Sequence, residues 1–331
     1  MVDLRVSLGP LTLKNPVLVA AGTFGYGLEF ARVVRLDQLG ALITKTLTRA
    51  PRTGNSPPRL VETPSGMLNA VGLQNVGLDV FLQEKLPVLR TLGACVIVSI
   101  LGESEEDVAA MAQQLDRAEG VAAIELNLSC PNLQHRSRLE ARGSGQEGLE
   151  PRVLNLQPKM VAQDTQATLA IVQAARERTC KPLIAKLSPD VTDLAPIAQA
   201  AERAGADAVS IGNTFTGMSL DPITQRSRLG VLAGGLSGPA IRPLAVYRVW
   251  YTAQTVRISV IGVGGIVRAE DAVEFFLAGA GAVAIGTVNF ADPTAALRIV
   301  RGLSRYLQRH RMSTVRALHG MINRPASADA A

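Results

Sequence analysis

The sequence predicts an α/β fold, a (β/α)8 TIM barrel with a short N-terminal hairpin and long loops on the catalytic face. Two observations predict it. About eight short apolar runs recur along the chain, and amphipathic stretches with helical spacing separate most of them. Each run is β-branched and nearly continuous in apolar character, as strands buried on both faces of a parallel sheet are. A doubly wound open sheet also alternates strand and helix, but usually with fewer strands.

In chain order, LRVSLGPLTLKNP alternates around Gly9-Pro10 and predicts a small hairpin ahead of the first barrel strand. The strands follow as VLVAA (17–21), ALITK (41–45), CVIVSI (95–100), AAIELN (122–127), LIAKL (183–187), AVSIG (208–212), SVIGV (259–263) and AVAIG (282–286). Helices are predicted over 105–119, with Ser104 as N-cap and an acidic first turn, and over 165–178 and 194–204, which carry the 3.6-residue spacing. Residues 271–277 and 293–308 complete the set, and a further helix is predicted to begin near Pro239. Residues 48–77, with Pro51, Pro57, Pro58 and Pro64, read as a long irregular loop after the second strand, on the catalytic face. Residues 133–163, charged and glycine-rich, read as a long active-site loop, and 320–331 as a frayed tail. The whole chain, 1–331, is expected to form one domain.

Composition narrows the function. Hydrophobic residues make up 47% and charged residues 19%, enough for a large core and unlike a disordered chain. The net charge of +6 is scattered, and aromatics at 4% argue against nucleic-acid binding by base stacking. Cys95, Cys130 and Cys180 stand far apart, which disfavours a disulfide framework or a structural zinc site and suits a reducing cytoplasm. The opening residues carry Asp3 and Arg5 and no apolar stretch, and the uncharged run 275–291 is broken by glycines, so neither an export signal nor a membrane span is expected.

Three glycine-rich turns follow the late strands: Gly262-Val263-Gly264-Gly265, Gly286-Thr287, and Gly234-Gly235-Leu236-Ser237-Gly238. Loops after strands seven and eight of such barrels commonly hold a phosphate on bare glycine amides, and Thr287 adds a hydroxyl. The first turn is not a dinucleotide fingerprint, because Val267 stands where the third glycine of G-x-G-x-x-G belongs.

A second set of polar residues falls at the strand ends. Cys130 follows the fourth strand. A free cysteine is usually a small core hydrophobe, but Pro131, the flanking Asn127 and Asn132, and the polar segment beyond favour an exposed thiol. Lys45 closes the second strand. Lys186 lies inside the apolar run LIAKL, where it cannot easily reach bulk water, and is expected to face a charge. Asn213 and Thr214 end the sixth strand, and Asn69 and Asn75 lie in the long second loop. Such asparagines can read a planar ligand bearing donors and acceptors. His135, His310 and His319 fall elsewhere, which disfavours a Ser-His-Asp triad or a histidine metal site.

These residues sit in the motifs NPVLVAAGTFGYG, ITKTLT, PPRLVETPSGMLNAVGLQN, ELNLSCPN, AKLSPDVTD, GNTFTGM, GGLSGPAIRP, GVGGI and GTVNF. In order and spacing the chain resembles the class 1 dihydroorotate dehydrogenases, most of all the class 1B catalytic subunit, over nearly its whole length. The resemblance implies one FMN per chain, no metal, and oxidation of (S)-dihydroorotate to orotate in de novo pyrimidine (UMP) biosynthesis. It implies that Cys130 is the base removing the C5 proton while hydride passes from C6 to flavin N5. Cysteine there, where the membrane-associated class uses serine, fits the soluble class. Substrate would be held by Lys45, Asn69, Gly72, Leu73, Asn127, Asn132, Asn213 and Thr214. Flavin would be held by Ala21, Gly22, Lys45, Thr46, Ser99, Asn127 and Ile211. Lys186 would stabilise charge at N1 and O2 of the reduced flavin. Gly238, Gly264, Gly265, Gly286 and Thr287 would take the ring edge and the phosphate.

The resemblance also implies a homodimer, or a heterotetramer with a second subunit carrying FAD and a 2Fe-2S cluster that passes electrons to NAD. This chain has no cysteine cluster for iron and sulfur and no dinucleotide fingerprint, so NAD reduction calls for another chain. Three alternatives stay open: a fumarate-linked class 1A enzyme, a dihydropyrimidine dehydrogenase-like reductase of uracil or thymine, and a barrel that binds a phosphorylated metabolite without redox chemistry. The last leaves Cys130, Lys45 and Lys186 unexplained. The segment 133–163 is longer than the short loop usual in class 1, where the family has its mobile lid, and predicts altered lid dynamics or an added partner contact.

Overall fold

The computed structural model describes residues 2–129 and 160–322. Eight parallel strands close into a barrel: β1 (Val17–Val19), β2 (Ala41–Ile43), β3 (Val96–Ile100), β4 (Val121–Asn127), β5 (Leu183–Leu187), β6 (Ala208–Ile211), β7 (Ser259–Val263) and β8 (Ala282–Ile285). Each strand pairs with its sequence neighbours, and β8 closes on β1 through Val283 against Val17 and Ile285 against Val19. All eight predicted runs are strands, so the expected barrel is the observed one.

Period-2 alternation divides each strand between two cores. Leu18, Ile43, Ile97, Ala123, Ile184 and Ile261 point inward and form a small cluster closed from below by Leu8 and Leu13 of the N-terminal hairpin (Val6–Leu8 with Leu11–Leu13). Their neighbours, among them Val19, Leu42, Val98, Ile124 and Val283, face outward into the larger core beneath the helices. Burial of each such side chain is worth about 1.5–3 kcal/mol, which is why uninterrupted apolar runs specify this fold.

The α-helices of six or more residues are α1 (Leu86–Thr91), α2 (Glu105–Asp116), α3 (Thr165–Arg176), α4 (Ala195–Arg203), α5 (Arg242–Ala253), α6 (Ala269–Leu277) and α7 (Ala295–Arg309). The Ser104 hydroxyl caps α2 by accepting the Asp107 N–H at 3.2 Å. Asp164 caps α3, accepting from Gln166 and Ala167 at 2.9 and 3.1 Å. β1 is followed only by two short 3-10 turns, Leu28–Phe30 and Leu36–Gln38, so the pattern of one helix per strand breaks in the first unit.

Two expected irregular segments are instead a sheet. Inside the predicted loop 48–77, Leu60–Thr63 pairs with Gly66–Asn69, which pairs on its other side with Gly234–Ser237, which in turn pairs with Phe215–Gly217. The run 234–237, read as a glycine turn, is thus mostly strand, and only Gly238 (φ 94) turns. Its glycines serve close approach: a Cβ on Gly235 would sit 1.9 Å from the Thr214 hydroxyl oxygen, and one on Gly234 2.5 Å from the Asn69 carbonyl oxygen. This sheet forms one wall of the cavity at the C-terminal ends of the strands. Cys130, Asn132, residues 133–159 of the long predicted loop, and 323–331 of the tail lie outside the described residues. Residues 160–163 are described, with Val161–Gln163 a 3-10 turn leading into α3.

Candidate active site

A cavity of about 970 Å³ opens at the C-terminal ends of the barrel strands, at the upper end of the range for small-molecule and cofactor sites. At one end, Lys45, Thr46, Asn127, Ser129, Lys186, Asn213 and Thr214 line it. At the other stand Gly238, Gly264, Gly265, Gly286 and Thr287.

The polar end is ordered by six hydrogen bonds that run in one direction. The Thr214 N–H donates to Asn213 Oδ1 at 2.8 Å, and Asn213 Nδ2 donates to the Ser129 hydroxyl oxygen. Ser129 donates to Asn127 Oδ1 at 2.9 Å, and Asn127 Nδ2 to Thr46 Oγ1 at 3.1 Å. Ser99 donates its proton to Glu125 Oε1 at 2.9 Å, so the 3.0 Å contact between Thr46 and Ser99 has Thr46 as donor. A carboxylate only accepts, and the buried Glu125 therefore sets the sense of the whole chain. The chain in turn fixes which way the Asn127 and Asn213 amides face, as a fully connected buried network does. Glu125 Oε2 has no partner among the described residues.

Lys186, on β5, is 5% exposed, and its ammonium makes no hydrogen bond or ion pair to another described residue. A desolvated ammonium is stable only beside compensating charge or dipoles, so this side chain suits an electron-rich ligand. Lys45 approaches the first turn, where a Cβ on Gly22 would lie 3.7 Å from its Nζ. Asn69 Nδ2 donates to the Gly235 carbonyl at 3.1 Å, tying the mouth sheet together beside the cavity. Leu73 follows Gly72 with φ 58, a left-handed conformation uncommon for a non-glycine residue and of the kind that gathers at ligand sites.

At the glycine end, Gly265 (φ 70) packs against the turn at Gly238. A Cβ there would lie 2.8 Å from the Gly238 carbonyl oxygen and 3.0 Å from the Arg242 nitrogen. Gly264, Gly265, Ile266 and Gly286 donate no backbone hydrogen bond to a described residue. Free amides in tight turns, beside the Thr287 hydroxyl at the start of a 3-10 turn (Thr287–Phe290), form an anion cradle. A phosphorylated planar cofactor such as FMN fits this donor set: amides for the phosphate at one end, and a buried cation with oriented amides for the ring at the other.

Of the residues singled out from sequence, the cavity lining brings together Ala21, Gly22, Lys45, Thr46, Asn69, Gly72, Leu73, Asn127, Lys186, Asn213 and Thr214, with Gly238, Gly264, Gly265, Gly286 and Thr287. Ser99 and Ile211 are fully buried in the barrel wall and do not line it. Ser99 acts on the site through Thr46, and Gly212 rather than Ile211 borders the space. Asn75 is not there either. Its side chain takes the Thr48 and Gly77 N–H groups and gives its protons to Leu73 O and Thr48 Oγ1, which staples the second loop. Cys130 and Asn132 lie outside the described residues; in the sequence, Cys130 directly follows the cavity-lining Ser129. Sequence reasoning missed Ser129, Ser188 and Glu125. Glu125 carried a usable signal, a charge inside the apolar run AAIELN, the same signal that marked Lys186.

The sequence model of a family described as dihydroorotate dehydrogenase matches residues 3–307 of this chain. Curated relatives include two proteins named dihydroorotate dehydrogenase B (NAD(+)), catalytic subunit, from Geotalea uraniireducens and Geobacter sulfurreducens. Each is 47% identical over 320 residues, covering 97% of this chain and 98% of its own length. A protein of the same name from Thermodesulfovibrio yellowstonii is 45% identical over 317 residues, 96% of this chain and 98% of its own.

Proposed function

Because the chain belongs to the dihydroorotate dehydrogenase family of oxidoreductases, we propose that it is the catalytic subunit of a class 1B, NAD-linked enzyme. It oxidises (S)-dihydroorotate to orotate in pyrimidine biosynthesis, with one FMN per chain. The observation that carries the reading is a single cavity joining an amide-lined anion cradle to a buried cation, unpaired among the described residues, and a row of oriented amides. FMN supplies the hydride acceptor.

The residues supply the rest. Gly264, Gly265, Gly286 and Thr287 hold the phosphate, and Gly238 the adjoining edge. Lys186 would stabilise the negative charge that builds on the reduced flavin, and such preorganised charge is usually the largest catalytic contribution. Asn127 and Asn213, locked by the chain ending on Glu125, present fixed donors and acceptors to the pyrimidine, and Asn69 and Thr214 line the same cavity; Asn132 would join them as a substrate contact. Lys45, which lines the same cavity, would contact both the flavin and the substrate. Cys130 takes the C5 proton as thiolate; an ordinary thiol pKa of about 8.5 needs only modest tuning for this role.

Electrons leave through a partner subunit carrying FAD and a 2Fe-2S cluster, in a heterotetramer built on a dimer of this chain in the cytoplasm. Among the described residues no helix is long and apolar enough to cross a membrane. Turnover tests the assignment. With an artificial electron acceptor, the purified chain is expected to form orotate from dihydroorotate and to leave dihydrouracil untouched, and to reduce NAD only once the partner is added. Preferential use of dihydrouracil would overturn the substrate assignment in favour of the pyrimidine-reductase alternative.

A further inference from the structure

Asp271 is a carboxylate on α6 with 2% exposure, and no step of the reaction uses it. Its Oδ2 accepts the Val267 and Arg268 N–H groups at 2.9 and 3.0 Å, the last amides of the turn that begins at Gly264. Its Oδ1 is ion-paired with Nη1 of Arg242, the first residue of α5, four residues beyond Gly238. The Arg268 guanidinium lies 3.5 Å away, and Glu274 holds Arg242 Nε at 3.3 Å. The two turns that this pair spans are in contact, since a Cβ on Gly265 would lie 2.7 Å from Arg242 Cβ and 2.8 Å from the Gly238 carbonyl.

We propose that the Arg242–Asp271 ion pair is a positioning clamp for the phosphate: it fixes the separation of the turns at Gly238 and Gly264-Gly265 and selects which amides face the anion. The inference rests on the reading of this cavity as an FMN site. The physical reasons are three. A buried carboxylate is stable only when its lone pairs are met, and here two amides and a guanidinium meet them, so the geometry has little freedom. Asp271 occupies the Val267 and Arg268 amides, which leaves those of Gly264, Gly265 and Ile266 for a ligand. The pair is neutral in sum, so its contribution is placement and not attraction. An apolar replacement of Arg242 therefore loosens the turns without moving the ring end of the cavity, where Lys186 and Asn127 stand on β5 and β4 and Thr46 follows β2.

The experiment compares FMN with riboflavin, which lacks the phosphate, by fluorescence titration of flavin-free protein. In the wild type FMN binds more tightly than riboflavin. Arg242→Met, at a side chain already 28% exposed, is expected to weaken FMN about 10- to 100-fold, the range of one charge-assisted hydrogen bond, and to leave riboflavin affinity unchanged. Asp271→Asn is expected to act in the same direction. An unchanged ratio of FMN to riboflavin affinity in Arg242→Met overturns the clamp, and so does a parallel loss of both ligands, which marks a general structural role. A wild-type protein that binds neither flavin overturns the reading of the cavity itself.

Discussion

Replacing Cys130 by serine is expected to lower dihydroorotate turnover roughly 10²- to 10⁴-fold at neutral pH, the usual contribution of a positioned general base. The FMN content should be unchanged. In the sequence Cys130 stands one residue past Ser129, which lines the cavity and is fixed between Asn127 and Asn213. A serine hydroxyl is far too weak an acid to ionise near neutrality, whereas a thiol with an ordinary pKa of about 8.5 is partly thiolate there. The sign of the pH dependence follows. Wild-type turnover should climb with pH and level off once the thiol is ionised, and the serine variant should lack that inflection. Steady-state rates over pH, with flavin content measured by absorbance, check both statements. Wild-type turnover in the variant would remove Cys130 from the role.

Lys186→Met should be the second severe variant. The methionine side chain is apolar, matches the length of most of the lysine stem, and packs readily where the lysine is already 5% exposed, so the barrel should keep its fold. The charge disappears from a site sheltered from water, where removing one preorganised electrostatic partner costs roughly 10²- to 10³-fold in rate. FMN should still bind through the glycine turns, with a lower midpoint potential, because the lost cation favoured the electron-rich form. Stopped-flow reduction by dihydroorotate and a dye-equilibrated potential measure the two effects. An unchanged reduction rate at an unchanged potential would mean that Lys186 only fills space.

The barrel was legible because parallel strands buried on both faces leave an unambiguous mark. Runs such as CVIVSI and LIAKL can be little else between amphipathic stretches. The cavity-lining residues were legible for a related reason: polar residues at the ends of such runs, Lys45, Asn127 and Asn213 among them, are placed by the barrel on one face. The mouth sheet was not legible. Gly66–Asn69 and Gly234–Ser237 are pressed against each other across a long sequence separation, and their glycines and asparagine carry no period-2 pattern. They are chosen for close backbone approach, which in sequence looks like a turn. Ser99 and Ile211 show a different limit. A residue at a strand's end and one a pleat below it read alike, yet the first lines the cavity and the second acts through a neighbour, as Ser99 does through Thr46. Glu125 escaped notice because the charge-in-a-strand argument was made for lysine and not for glutamate.

If the cavity holds a flavin that dihydroorotate reduces, the anaerobic visible spectrum of the purified chain before and after dihydroorotate is added shows it directly. The expected result is a yellow protein whose oxidised-flavin band bleaches on addition, with orotate formed in equal amount. A yellow protein that dihydroorotate leaves unbleached would keep the flavin and contradict the substrate. A colourless protein that cannot be reconstituted with FMN would contradict the account at its base.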